Sequence, residues 1–187
     1  MSNIVGARER QFRSVLSEAY RAYHRQFGEV SILDDRVTPA SLIAIGRGVG
    51  ASLLMTRNSI TVNTNDARDV LMCLHEAAVM LHITQTTTGS PVNAATFKHT
   101  QDEGADLFVA KNHDYGDAFA TCGVIGVMIR VMDKIMRLDR MLGDSPVTAP
   151  RVADESVRDT ILDIVNYSVM GVMLIDEATT AAHATPI

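Results

Sequence analysis

The sequence predicts an all-α fold, a six-helix bundle, and three observations carry that reading. All five prolines, Pro39, Pro91, Pro146, Pro150 and Pro186, fall where helical patterning stops, as expected of a residue that cannot donate to or fit inside a helix. Aromatic residues make up only 5% and Trp is absent, while Met reaches 10, a composition that suits closely packed helices better than a β-sandwich. Between the prolines, apolar residues recur at helical spacing over 7–27, 39–57, 66–84, 94–113, 118–142 and 154–177.

The segments can be justified in order. The second opens on Thr38 before Pro39, an N-cap followed by proline at the first helical position. Its GRGVGAS run, residues 46–52, lacks the Gly-Lys-Ser/Thr ending and the preceding strand of a phosphate loop, so its glycines predict close helix contact or a break. The third carries His75 and His82 on one face, where core or rim histidines outnumber ligands. TQTTTGSPVN, residues 84–93, is polar and rich in Thr, Gly and Pro, and reads as a linker. KNHDYGDAF, residues 111–119, closes the fourth segment and opens the fifth. Asp154 and Glu155 place negative charge at the start of the sixth, and 178–187 reads as a flexible tail.

The linker divides the chain into a helical half over 7–84 and a second half over 94–177, and the halves echo each other. Phe27-Gly28-Glu29 matches Tyr115-Gly116-Asp117, Ile45-Gly46 with Arg57 matches Ile125-Gly126 with Arg137, and Arg68-Asp69 matches Arg158-Asp159, in the same order. Two amphipathic segments can be slid into chance agreement; the other reading is a degenerate duplication, two three-helix repeats packed as a pseudo-symmetric pair. Such a pair is the intramolecular counterpart of a two-fold dimer, and a homo-oligomer is one expected assembly. At aligned positions the first half has Gln26 for Asp114, Leu53 and Leu54 for Asp133 and Lys134, Cys73 for Asp163 and Glu76 for Asn166. Only Asp69 persists, opposite Asp159, so a single site on the second half is expected, with the first half as scaffold.

Composition narrows the function classes. With 17 basic against 22 acidic residues the net charge is -5, which gives no general reason to grip duplex nucleic acid or an anionic membrane. The start MSNIVGARER lacks the apolar core of a signal peptide and no apolar run is long enough to span a bilayer, which predicts an intracellular, cytoplasmic chain. Cys73 and Cys122 lie in apolar stretches without CxxC spacing and are expected to be buried small hydrophobes.

Three polar stripes remain. Glu155, Asp159, Asp163 and Asn166 share one face of the last segment, and like charges four apart repel unless solvent or a cation intervenes. Asp102, Glu103 and Asp106 form a second acidic group, followed by Lys111, Asp114 and Asp117. Facing helices with these acids could hold Mg²⁺, which prefers oxygen ligands; a solvated acidic face is the plain alternative. Arg130, Asp133, Lys134 and Arg137 lie together on the segment between, suited either to phosphate oxygens or to salt bridges with the acids. His113-Asp114 is read as a turn or cap pair rather than a metal-binding His-Asp motif.

KNHDYGDAF, then IRVMDKIMRL, then DESVRDTILDIVNYSVMGVMLI, in that order, resemble the first of the phage and bacterial nucleotide modification associated domains, over roughly residues 97–177. That family is similar to the all-α, MazG-like nucleotide pyrophosphohydrolases. The resemblance implies a helical bundle that binds a nucleotide and, in MazG-like relatives, uses Mg²⁺, with Mn²⁺ as a substitute, to cleave a nucleoside triphosphate to monophosphate and pyrophosphate. Asp102-Glu103-Gly104-Ala105-Asp106 keeps the spacing of the MazG-like relatives' first acidic motif with shorter acids at two places, whereas Glu155, Asp159 and Asp163 are spaced by four rather than three as in their second.

Chemistry of that kind assigns provisional roles. Mg²⁺ on Asp102, Asp106, Asp159, Asp163 and Glu155 would lower the pKa of a bound water, and Glu103 would accept its proton, with Asp159 the acid on which catalysis chiefly depends. Lys111, Arg130, Lys134 and Arg137 would hold the phosphates, with Tyr115 and Asn166 near the base or sugar and Asp114 a further substrate-binding residue. The rival expectation is a nucleotide-binding or assembly protein that keeps the bundle without hydrolase chemistry.

Overall fold

The computed structural model describes residues 2–27, 37–51, 53–55, 60–62, 64–86, 92–142 and 156–184. Among them the fold is all-α apart from one short hairpin. The helices are α1 (Ser2–Phe27), α2 (Pro39–Ala51), α3 (Thr64–Thr86), α4 (Ala94–Tyr115), α5 (Ala118–Thr121), α6 (Gly123–Leu142) and α7 (Val157–Ala184). Strands β1 (Leu53–Met55) and β2 (Ile60–Val62) pair antiparallel, with Leu53 opposite Val62. No described helix is long and apolar enough to cross a membrane.

Helix ends follow local chemistry. Thr38 and Ser41 cap α2 reciprocally: Ser41 N–H donates to Thr38 Oγ1 (3.1 Å) and Thr38 N–H to Ser41 Oγ (2.8 Å). Asn93 and Thr96 do the same for α4. The predicted second helix, 39–57, is cut short at Ala51 by the hairpin, because Leu53–Met55 and Ile60–Val62 supply apolar and β-branched residues on both sides of a polar break. The predicted helix 118–142 is broken once, at Gly123, whose φ of 63° is a left-handed value that side chains disfavour. The predicted cap at Asp154 and Glu155 lies outside the described residues; α7 begins at Val157, capped by Ser156, and runs on to Ala184 rather than ending near 177.

The core forms along facing helices. α1 and α4 are joined by two stacked aromatic pairs, Phe12 on Phe108 (4.1 Å between centroids) and Tyr23 on Phe97 (4.2 Å). α2 lies on α6, where Gly46 is needed: a Cβ there would stand 2.4 Å from Ile135 Cδ1. Gly50 faces α6 as well, at Met132, whereas Gly48 lies toward Val70 of α3. α7 is buried almost without interruption from Thr160 to Ile175, the pattern of a central helix, and α3 and α6 cover most of it. Thus α1 packs on α4, α2 on α6 and α3 on α7, each helix of the first half against the one holding the same place in the second.

Two arginines repeat a role across that pairing. Arg68 at the start of α3 holds Glu18 on α1 (2.9 Å), and Arg158 at the start of α7 holds Glu103 on α4. Elsewhere the halves differ, since Leu53 and Leu54 sit in a strand while their aligned Asp133 and Lys134 sit in a helix. The expectation of buried cysteines is corrected: Cys73 and Cys122 are both exposed, Cys73 on the outer side of α3 and Cys122 between α5 and α6.

Candidate functional site

The turn of KNHDYGDAF is built by Gly116, which ends α4 at φ 61°, a conformation that favours glycine. Asp117 then binds Arg8 on α1 at 2.8 Å, so it anchors the turn. Tyr115 is 75% exposed beside it, and Asp114 is exposed with His113 Nδ1 at 3.2 Å, the local turn pair expected of His113. Within this stretch Lys111 points elsewhere, toward α7.

Three helices meet at Asp163. Lys111 Nζ from α4 lies 3.0 Å from Asp163 Oδ1, and Lys134 Nζ from α6 lies 2.9 Å from Oδ2. The Asp163 and Lys134 side chains are only 16% and 13% exposed, against 46% for Lys111, so the junction has a sheltered side on α6 and an open side on α4. One carboxylate thereby holds two ammonium groups from different helices, one on each oxygen. Arg137 is partly buried on α6, and Arg130 and Asp133 are exposed.

One turn before Asp163, Asp159 belongs to a capping box. Ser156 Oγ–H (2.7 Å) and Ser156 N–H (3.0 Å) donate to Asp159 Oδ2, and Asp159 N–H donates to Ser156 Oγ (3.1 Å). These bonds, aided by Arg158 and Lys111, hold the Asp159 carboxyl below its ordinary value of 3.8, so it stays ionised. Its side chain is exposed at the end of the helix.

The other acids are engaged separately. Asp102 pairs with Lys98, Asp106 with Arg13 (3.5 Å) and Glu103 with Arg158. Glu155 lies outside the described residues. Among the described residues no three His, Cys, Asp or Glu side chains converge in a way that would hold a metal ion, so Mg²⁺ on Asp102, Asp106, Asp159 and Asp163 together would require these pairs to open.

Below the charged surface lies a polar seam. Asn166 is buried on α7 with Oδ1 lacking a hydrogen-bond partner, pressed against Gly104 of α4. His75 on α3 is fully buried: Nδ1–H donates to Val165 O (3.2 Å), which fixes Nε2 as the acceptor of Gln101 Nε2–H (3.0 Å). Burial drives the His75 pKa down from 6.5 to about 4 despite the Val165 bond, so the ring is neutral. Gln101 also donates to Leu16 O (3.1 Å), so one amide on α4 joins α1 and α3, and His75 extends the link to α7. His82, seven residues along α3, is 3% exposed with neither ring nitrogen hydrogen-bonded. Glu103 Oε2 lies 4.0 Å from its Nε2. Sequence reasoning placed both histidines in the core or rim; it missed Gln101, since a lone glutamine in a helix gives no signal of a buried bridge.

Of the proposed site residues, Lys111, Lys134 and Asp163 therefore meet directly, Asp159 and Asn166 lie one turn to either side on α7, and Glu103 reaches the start of that helix through Arg158. Asp114 and Tyr115 sit at the exposed turn, and Asp102 and Asp106 are held on α4 by other partners. No curated protein and no solved structure matches the chain. A family match covers less than half of the 187 residues, but it covers those that form this junction. Residues 111–175, from Lys111 to the end of the buried stretch of α7, match the model of nucleotide modification associated domain 1.

Proposed function

We propose that the second half binds a nucleotide through its phosphates, which take the place of the Asp163 carboxylate between Lys111 and Lys134. The observation that supports this most is the shared carboxylate: two lysines from separate helices already close on one pair of anionic oxygens. A phosphate group carries more charge than a carboxylate, and two ammonium groups from separate helices suit it. Arg130 and Arg137 on α6 would extend the cationic surface along a polyphosphate, and Asn166 and Tyr115 would lie toward the base or sugar.

The reaction this site would serve is release of pyrophosphate from a nucleoside or deoxynucleoside triphosphate. Mg²⁺, or Mn²⁺ in its place, fits in the manner usual for that ion, held by phosphate oxygens and one or two carboxylates. Asp159, exposed and held ionised, is the acid best disposed to contribute, with Asp163 once displaced from its lysines. When bound, the ion would polarise the phosphorus centre. The chain's own part is to hold the phosphates with Lys111 and Lys134, to keep Asp159 ionised through Ser156, and to present Glu103 as proton acceptor. One observation favours a binding protein without this chemistry: Glu103, Asp102 and Asp106 are each neutralised by a basic side chain. The first half would then be a degenerate duplicate serving as scaffold, a reading supported by the pairing of equivalent helices and by the matching roles of Arg68 and Arg158.

Incubation with each dNTP and NTP in Mg²⁺, with pyrophosphate and monophosphate measured, separates the two. Product that disappears in Asp159→Asn supports hydrolysis. Saturable binding without product leaves the binding protein, and no binding by any nucleotide overturns both.

A further inference from the structure

His82 is the buried group that the proposed site leaves unused. It sits on α3 beneath Glu103 of α4 and Arg158 of α7, 3% exposed, with neither nitrogen hydrogen-bonded and Glu103 Oε2 at 4.0 Å. That distance is beyond a hydrogen bond, but a small rotation of the Glu103 side chain would close it. Glu103 has reason to stay where it is, because its other oxygen is held by the Arg158 guanidinium. Arg158 is itself exposed, next in sequence to Asp159, at the end of α7 that faces the nucleotide site. A buried imidazole with an N–H and no acceptor is thus placed one step behind a carboxylate whose present partner is a phosphate-binding type of side chain.

Resting on the nucleotide-site reading above, we propose that His82 is a positioning residue for Glu103: when Arg158 turns to the phosphates of a bound nucleotide, Glu103 passes from Arg158 to the His82 N–H and is kept as an oriented carboxylate. Without the His82 N–H the release of Arg158 would leave Glu103, whose side chain is 29% exposed, with no donor on its buried side, and Arg158 would be released less readily. Burial lowers the His82 pKa, with Glu103 opposing, so the ring is neutral near pH 7 and has one N–H to give. The charged and titratable groups acting on it are Glu103 and His99 from α4 and Arg158 and Asp159 from α7.

The test is dATP binding by calorimetry, with inorganic triphosphate as a second probe, for wild type, His82→Leu and His82→Gln, each alone and in a Glu103→Ala background. Leu removes the donor while filling the space, and Gln restores an N–H. The expected result is a loss of about tenfold in dATP affinity for His82→Leu, recovery to within about twofold for His82→Gln, and no effect of either change once Glu103 is Ala. A His82 that served only to fill the core would lower affinity equally in both backgrounds, and that result, or unchanged affinity in His82→Leu, overturns the proposal. Should His82→Leu fail to fold, a His82→Gln protein that binds as wild type, with an Arg158→Gln loss of affinity that is larger once Glu103 is Ala, supports it; an Arg158→Gln loss that is equal in the two backgrounds, or absent, overturns it. Wild type that binds neither probe overturns the site itself and this inference with it, whereas wild-type binding with no coupling between His82 and Glu103 overturns the inference alone.

Discussion

Gly104 on α4 and Asn166 on α7 meet so closely that a Cβ on Gly104 would stand 2.7 Å from Asn166 Oδ1. Cβ atoms do not approach an oxygen that nearly, and Val165 Cγ1 at 3.5 Å closes the other side. Gly104→Ala must therefore turn the buried Asn166 carboxamide or part the two helices. The expected cost is about 1–3 kcal/mol, read as a lower Tm. An unchanged Tm would mean that Asn166 turns aside without strain.

His75 makes stability depend on pH with a definite sign. Its folded pKa, about 4, lies below the unfolded 6.5, so on acidification the unfolded chain takes up a proton first. The stability linked to His75 is complete above about 6.5 and is lost as pH falls from there toward 4. His82, also lowered by burial, acts in the same direction. The interval for His75 is worth on the order of 3 kcal/mol. Urea denaturation at pH 7.5 and pH 4.5 should show a smaller decline for His75→Gln than for wild type, whatever its overall stability; equal declines would refute the assignment.

Ser156 is expected to control both the start of α7 and the charge on Asp159. Its hydroxyl and amide supply the bonds that keep the Asp159 carboxyl low, and its side chain caps the helix. Ser156→Ala should cost about 1 kcal/mol in thermal or chemical denaturation. In a carbon-detected titration the Asp159 carboxyl should rise toward 3.8; a carboxyl that stays low would assign the effect to Arg158 and Lys111 instead.

Much of the helical framework was legible because prolines, caps and apolar spacing are local signals: Thr38-Pro39 marks α2, and Gly46 and Gly50 of GRGVGAS mark its contact with α6. The hairpin after Ala51 was not, since Leu53–Met55 and Ile60–Val62 continue an apolar pattern that a helix and a strand satisfy equally well over a few residues. Likewise the acids of α4 and α7 stand at helical spacing in the sequence, but apart from the local pair of Lys98 and Asp102 within α4, which cation each takes depends on where other helices bring Arg13, Arg158, Lys111 and Lys134. Only Lys111, Lys134 and Asp163 were brought together as one site. The cysteines show the same limit from the other side, since an apolar neighbourhood in sequence does not say which face of the helix a residue occupies.

The sharpest test of the junction is Asp163→Asn. The change keeps the shape of the side chain and removes the charge that Lys111 and Lys134 share. Lys134, the more sheltered lysine at 13% exposure against 46%, should suffer more from the loss, so stability should fall by about 1 kcal/mol or more at neutral pH. In Mg²⁺-free buffer the two lysines should then take inorganic triphosphate several-fold more tightly than in wild type, because the carboxylate no longer competes. Raising salt to about 0.5 M should shrink that gain, more for a contribution from the exposed Lys111 than for one from Lys134. Lys134→Met should accordingly abolish more of the binding than Lys111→Met. If Asp163→Asn instead weakens triphosphate binding without Mg²⁺, Asp163 does not stand where the phosphate goes, and the two lysines serve the packing of α4 and α6 on α7.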